Sequence, residues 1–160
     1  EAQMDRFLMK INIDYPETEA ELAIVRLVHA EEAPSTAETL KVPQQAILDA
    51  RTEVRALHIG DNVEQYLVDL VMATRNPANY DQELDSWISI GCSPRASIGL
   101  HKAARAQAWL EGKDYVDPDD VRGVFHSVLR HRLVLSYDAL ADNVSVDQVL
   151  DRVLQQVAVS

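Results

Sequence analysis

The stretch SPRASIGLHKAARAQAWLEG, Ser93 to Gly112, carries its own start and stop signals, and its reading decides the fold class. Ser93 offers an N-cap hydroxyl, Pro94 sits in the first turn where its missing N–H costs nothing, and Gly112 ends the run after Glu111. The spacing predicts a long helix, and its alanine-rich faces permit close approach of neighbouring helices.

Downstream, Asp117-Pro118-Asp119-Asp120 repeats the same opening ahead of Val121, Val124, Phe125, Val128 and Leu129. Ser145 with Gln148 then opens a last helix bearing Val149, Leu150, Val153 and Leu154. Upstream, Gly91 closes a short apolar run of Leu84, Trp87, Ile88 and Ile90 whose type periodicity does not decide, and a loop covers Asn76 to Asp81. Asp61 and Glu64 have capping-pair spacing, and Val63, Tyr66, Leu67, Leu70, Val71 and Thr74 recur at i, i+3, i+4, i+7. Another helix begins near Pro43, with Ile47, Ala50, Val54 and Leu57 on one face, and stops at Gly60. The first runs from a Thr18–Glu21 capping pair through Leu22, Val25 and Val28 to about Glu32, where Ala33-Pro34-Ser35-Thr36 breaks it. Six helices with short connections make a mainly α chain, a helical bundle, without internal repeats or low-complexity tracts.

The opening residues follow another period. Phe7, Met9, Ile11 and Ile13 alternate with Leu8, Lys10, Asn12 and Asp14, as expected of a strand closed by Tyr15-Pro16. One strand cannot satisfy both its edges, so the expectation is a sheet lying upstream of Glu1, with residues 1–16 closing that domain and 17–160 forming the bundle. The alternative is a short edge strand pairing with Leu133 to Leu135.

The 160 residues are 47% hydrophobic and carry a net charge of −11, which argues against a general nucleic-acid or anionic-membrane surface. The single cysteine, Cys92, excludes an intrachain disulfide framework and a multi-cysteine metal site, and its place before a helix reads as a small buried residue rather than a nucleophile. His29, His58, His101, His126 and His131 never fall at ligand spacing, so no metal site is expected. No stretch approaches the roughly 18 apolar residues of a membrane span, and a cytoplasmic location is the default. Phosphate-loop, G-x-G-x-x-G, H-E-x-x-H and G-x-S-x-G motifs are all absent from the sequence.

Arg95 is the position that stands out. In the first turn of a helix the macrodipole disfavours a cation by roughly 0.3–1 kcal/mol, so either a carboxylate or a bound anion should compensate. A phosphate would meet both the helix terminus and the bidentate guanidinium, and Lys102, two turns on, extends the positive face. Arg6 lies at the junction Met4-Asp5-Arg6-Phe7, where a salt bridge to Asp5 or a neighbour is the plain structural reading. Arg130, His131 and Arg132 end a helix and read as cations offsetting its dipole.

Taken together, Glu1-Ala2-Gln3-Met4-Asp5-Arg6-Phe7, Tyr15-Pro16, Gly91-Cys92-Ser93-Pro94-Arg95-Ala96-Ser97 and Asp114-Tyr115-Val116-Asp117-Pro118-Asp119-Asp120-Val121 resemble the MoxR family of AAA+ ATPases in order and spacing. The resemblance spans nearly the whole chain and implies the family's last core strand followed by its α-helical lid domain. It implies that Arg95 is the sensor-2 arginine, acting on nucleotide in the same subunit with Ser93 and Pro94 on the phosphate side. Arg6 matches the arginine finger, reaching the γ-phosphate held by a neighbouring subunit.

The resemblance further implies ATP and Mg2+ as ligands of the complete protein, bound through Walker A, Walker B and sensor 1 elements that this sequence lacks, so these residues alone are not expected to hydrolyse ATP. The implied partners are the protein's own AAA+ core, neighbouring subunits of a homo-oligomeric, hexameric ring, and a protein with a von Willebrand factor A domain; nucleic acid is not among them. The implied role is chaperone-like assembly or activation of client proteins. The competing expectation is a non-enzymatic helical interaction module, and a helical DNA reader is disfavoured by the charge.

Overall fold

A computed structural model describes residues 3–31 and 41–159. Glu1 and Ala2, the end of the first helix at Glu32 and the break at Ala33-Pro34-Ser35-Thr36 lie outside the described residues. The helices are α1 (Thr18–Glu31), α2 (Gln44–Ala56), α3 (Asp61–Arg75), α4 (Gln82–Trp87), α5 (Pro94–Leu110), α6 (Pro118–Leu129), α7 (Tyr137–Ala141) and α8 (Val146–Gln156). Four short strands, β1 (His58–Ile59), β2 (Ile88–Ile90), β3 (Tyr115–Val116) and β4 (Val134–Leu135), complete a mainly helical fold. β1 pairs parallel with β3, and β2 pairs antiparallel with β4 across an irregularity between Ile88 and Ile90.

The strongest start signals produce the best-formed ends. Asp117 and Ser145 each complete a capping box, with Asp120 and Gln148 as the reciprocal partners. Asp61 does not cap. Gly60 takes the N-cap position of α3 without a side-chain bond, while Asp61 and Glu64 fall in the first turn, where their charge suits the dipole. Thr18 likewise lies inside α1. The undecided run Leu84–Ile90 divides into α4 and β2. Asp81 starts α4 by accepting from the N–H groups of Glu83 and Leu84 at 2.7 and 3.3 Å. Ser136 starts α7 in the same manner, so two short helices join the six expected.

The core forms where these helices meet. Tyr66, Leu70, Leu84, Leu100, Phe125, Leu129 and Leu150 are fully buried, and truncating one of these leucines to alanine should cost about 2–5 kcal/mol. α5 packs against α6, and its buried face carries the small residues Ala96, Gly99, Ala103, Ala104 and Ala108. A Cβ added at Gly99 would stand 2.9 Å from Val128 Cγ1, so the small side chains set how near the two axes come.

Residues 7–13 pair with no strand among the described residues, and the Lys10 N–H donates to the Ser127 carbonyl of α6 at 2.8 Å. Ile11 and Ile13 are consequently exposed, and the alternative partner, Val134–Leu135, is already taken by β2. α1 and α2 bury none of their residues, so Leu22, Val25 and Val28 of α1 and Ile47 of α2 are exposed and lie outside the core. Periodicity identifies an apolar face, but only a facing element can cover it.

Candidate functional site

The turn that presents Arg95 is built against the end of α3. A Cβ on Gly91 would lie 2.2 Å from the Thr74 carbonyl oxygen, so only glycine lets the chain pass there. The next residue is stitched to the same place. The Cys92 N–H donates to Thr74 Oγ1 at 3.0 Å, and Arg75 Nε donates to the Cys92 carbonyl at 2.7 Å. Cys92 is buried, and burial pushes its thiol up to about 11, which fits a structural role and not a nucleophile.

Ser93 follows as the N-cap of α5. Its Oγ accepts from the Arg95 N–H at 3.2 Å and donates to the Asp5 carboxylate at 3.0 Å. The Ala96 N–H donates to the Ser93 carbonyl, and Pro94 has none. The early backbone donors of α5 are therefore occupied, and the free N–H groups expected for an anion are not there. What remains is the dipole field and the side chain of Arg95, which is half exposed, its Nε 3.5 Å from Asp5 Oδ2.

Asp5 is thus the carboxylate that compensates Arg95, and it is also claimed by Arg132, whose Nε lies 3.2 Å from Asp5 Oδ1. Arg6, by contrast, takes no part in an ion pair with Asp5, and its side chain makes no salt bridge or hydrogen bond among the described residues. The salt bridge expected of Arg6 goes to Arg95 and Arg132 instead.

Arg132 is the residue that sequence reasoning misassigned. Its side chain is only 3% exposed. Nη1 donates to the carbonyls of Leu8, at 3.1 Å, and Val128; Nη2 donates to those of Asp5, at 3.3 Å, and Phe7, at 2.5 Å. His131 Nε2 donates to the Phe7 carbonyl at 3.1 Å, and Arg130 pairs with Asp147 while approaching the Lys10 carbonyl. The cluster does not simply offset a helix dipole; it clasps the entering segment. Burial pulls both Arg132 and His131 below their ordinary pKa values, partly opposed by Asp5 at Arg132 and by the Phe7 carbonyl at His131.

Arg6, Arg95, Lys102 and Arg132 converge, with Asp5, on one cleft of about 510 Å³ whose apolar side includes Leu8 and Ile98. Four cations and one carboxylate meet here in a chain of net charge −11. Such a cleft suits a small anion with several oxygens, held by side chains. No group of three or more His, Cys, Asp or Glu residues able to hold a metal occurs among the described residues, and no described helix is long and apolar enough to cross a membrane.

Known proteins resemble this chain in sequence and in fold. Residues 84–153, from α4 to α8, match the AAA lid domain family. Chaperone MoxR1 of Mycobacterium tuberculosis is 43% identical over 99% of this chain, and Protein MoxR of Paracoccus denitrificans is 36% identical over 84% of it. The chain spans 41% and 43% of those two proteins' lengths. A crystal structure of a candidate ATPase from Cytophaga hutchinsonii superposes with a TM-score of 0.92 at 37% identity, covering 99% of this chain and 48% of that one. With its lid fold, its Ser93-Pro94-Arg95 turn and these relatives, the chain belongs to the MoxR family of AAA+ ATPases.

Proposed function

We propose that this chain is the part of an ATP-hydrolysing ring protein that reads the phosphates of bound nucleotide and passes their state to the lid. The observation that carries the reading is the half-exposed Arg95 guanidinium, which shares a cleft with Lys102 and approaches Asp5 at Nε alone. The charge and donor types there fit a polyphosphate. Arg95 would contact nucleotide held by the same subunit, with Ser93 and Pro94 as the turn that presents it. Arg6 would reach the phosphates held by a neighbouring subunit of a homo-oligomeric, hexameric ring. ATP supplies the transferable γ-phosphoryl group; Mg2+ would be held by residues other than those described.

Both guanidiniums would act by neutralising charge as it builds on the phosphoryl oxygens, which is where fixed cations contribute most to such reactions. Because Arg95 is rooted in α5 and α5 lies along α6, a shift of Arg95 toward phosphate would carry the helical layer with it. That movement is the proposed link to chaperone-like work on client proteins, alone or with a partner carrying a von Willebrand factor A domain.

The test is made in the complete polypeptide. Arg95→Ala and Arg6→Ala should each lower ATP turnover by at least about tenfold. Mixing Arg6→Ala subunits with subunits defective in the phosphate loop should restore part of the activity at mixed interfaces. Intact rings with no restoration would remove the trans role of Arg6. The uncovered apolar residues of α1 favour a second reading, a non-enzymatic interaction module. A specific protein partner retained after Arg95→Ala, with no nucleotide-dependent behaviour in the complete polypeptide, would select it.

A further inference from the structure

Resting on the nucleotide reading above, we propose that Arg132 and Asp5 form a positioning pair that places both candidate arginines at once. Nη2 of Arg132 holds the carbonyls of Asp5 and Phe7, the residues on either side of Arg6. The backbone from which Arg6 projects is therefore clamped before and after that residue. The same guanidinium lies against the Asp5 carboxylate, and that carboxylate receives Ser93 Oγ and approaches Arg95 Nε. Contact at Nε orients Arg95 while leaving its two Nη groups free to make the bidentate contact that suits a phosphate.

Arg132 is not itself a ligand. Four of its five N–H donors go to main-chain carbonyls, and the fifth faces Asp5. Its position beyond the C-terminus of α6 ties the segment bearing Arg6 to the lid, and Asp5 ties that segment to the start of α5. Two arginines that lie 89 positions apart in the chain, at 6 and 95, thereby share one buried anchor. A lysine could not replace it, since a compact ammonium has three donors and no planar fork to span these carbonyls.

The experiment is a set of double-mutant cycles on ATP turnover in the complete polypeptide, using Arg132→Gln, Arg132→Lys and Asp5→Asn, each alone and combined with Arg6→Ala or Arg95→Ala. Arg132→Gln should lower kcat by roughly 10- to 100-fold, the scale of a misplaced reacting group, with KM for ATP changed much less. Arg132→Lys should recover folding but not kcat. The losses should be coupled: Arg132→Gln combined with either arginine variant should fall well short of the product of the two single effects. Asp5→Asn leaves the carbonyl clamp in place, so it should couple with Arg95→Ala and be independent of Arg6→Ala; it also carries the test if Arg132→Gln does not fold. Fully multiplicative losses, or a rise in KM with kcat unchanged, would overturn the positioning role. Full turnover in Arg6→Ala and Arg95→Ala themselves would bring down the nucleotide reading, and this proposal with it.

Discussion

Replacing Gly91 with alanine tests whether the turn before α5 is set by contact with α3. The added Cβ would stand 2.2 Å from the Thr74 carbonyl oxygen, 2.6 Å from its carbon and 2.8 Å from Arg75 Cα, all of them backbone atoms that cannot swing aside. Gly91 does not have a positive φ, so alanine can adopt its conformation and the cost comes from collision alone. Relief requires the turn to retreat by more than about 1 Å before carbon and oxygen reach ordinary contact. That retreat stretches the 3.0 Å bond from the Cys92 N–H to Thr74 and the 2.7 Å bond from Arg75 to the Cys92 carbonyl. Overpacking together with two weakened hydrogen bonds comes to about 3–5 kcal/mol. In urea unfolding followed by circular dichroism, a slope of about 2 kcal/mol per M turns this into a midpoint lower by about 2 M. Gly123→Ala is the internal control: it lies exposed within α6 with nothing within 4 Å of its would-be Cβ. It should gain about 0.5–1 kcal/mol from helix propensity. A Gly91→Ala midpoint equal to that of the unaltered chain would refute the argument that this close approach sets the turn.

Other outcomes follow from the same geometry. Ser93→Ala removes the cap acceptor for the Arg95 N–H and the donor to Asp5, and should destabilise by about 1–2 kcal/mol in the same unfolding assay. Cys92, buried with its thiol pushed up to about 11, should resist iodoacetamide at pH 8 in the folded chain and react once urea unfolds it. Stability should also fall with acid in two stages. His131 is held below its ordinary value of 6.5 by burial, so its contribution is complete above 6.5 and is lost as the pH falls through the lower folded value. His131→Gln should flatten that first stage. Glu111, held below 4.5 by the Lys113 ammonium, and Asp117, where Lys113 and backbone donors outweigh the upward push of burial from 3.8, contribute fully above those values. Their contribution is lost as the pH falls further, and Lys113→Met should remove the part of this second stage that its ammonium supplies.

Helix existence and helix starts were legible because their causes are local. A serine or aspartate hydroxyl or carboxylate reaches N–H groups two or three residues on, so Ser93, Asp117 and Ser145 announce α5, α6 and α8 without reference to the rest of the chain. The apolar spacing of α3 and α6 likewise marks the faces that are buried. Arg95 could be singled out by the same local logic, since a cation in a first helical turn requires compensation. Spacing could not say whether that compensation is a carboxylate or an anion.

Pairings across long stretches of chain were not legible. Alternation at Phe7–Ile13 marks a strand, but a strand is defined by its neighbour; no strand among the described residues pairs with it, and the Lys10 N–H meets a carbonyl of α6. The apolar residues of α1 and α3 carry similar local signals, yet one helix is exposed and the other buried. The use of Asp5 by Arg95, Arg132 and Ser93 joins residues 88 to 127 positions apart, and no periodicity encodes it. The amino-acid sequence by itself determined the helical class, the caps and the residues able to meet an anion, because backbone capping and amphipathic spacing act within a few residues. Only the tertiary structure decided which carboxylate faces which guanidinium and that Arg6, Arg95 and Lys102 share a cleft, because charge pairing and burial depend on distances that folding alone creates.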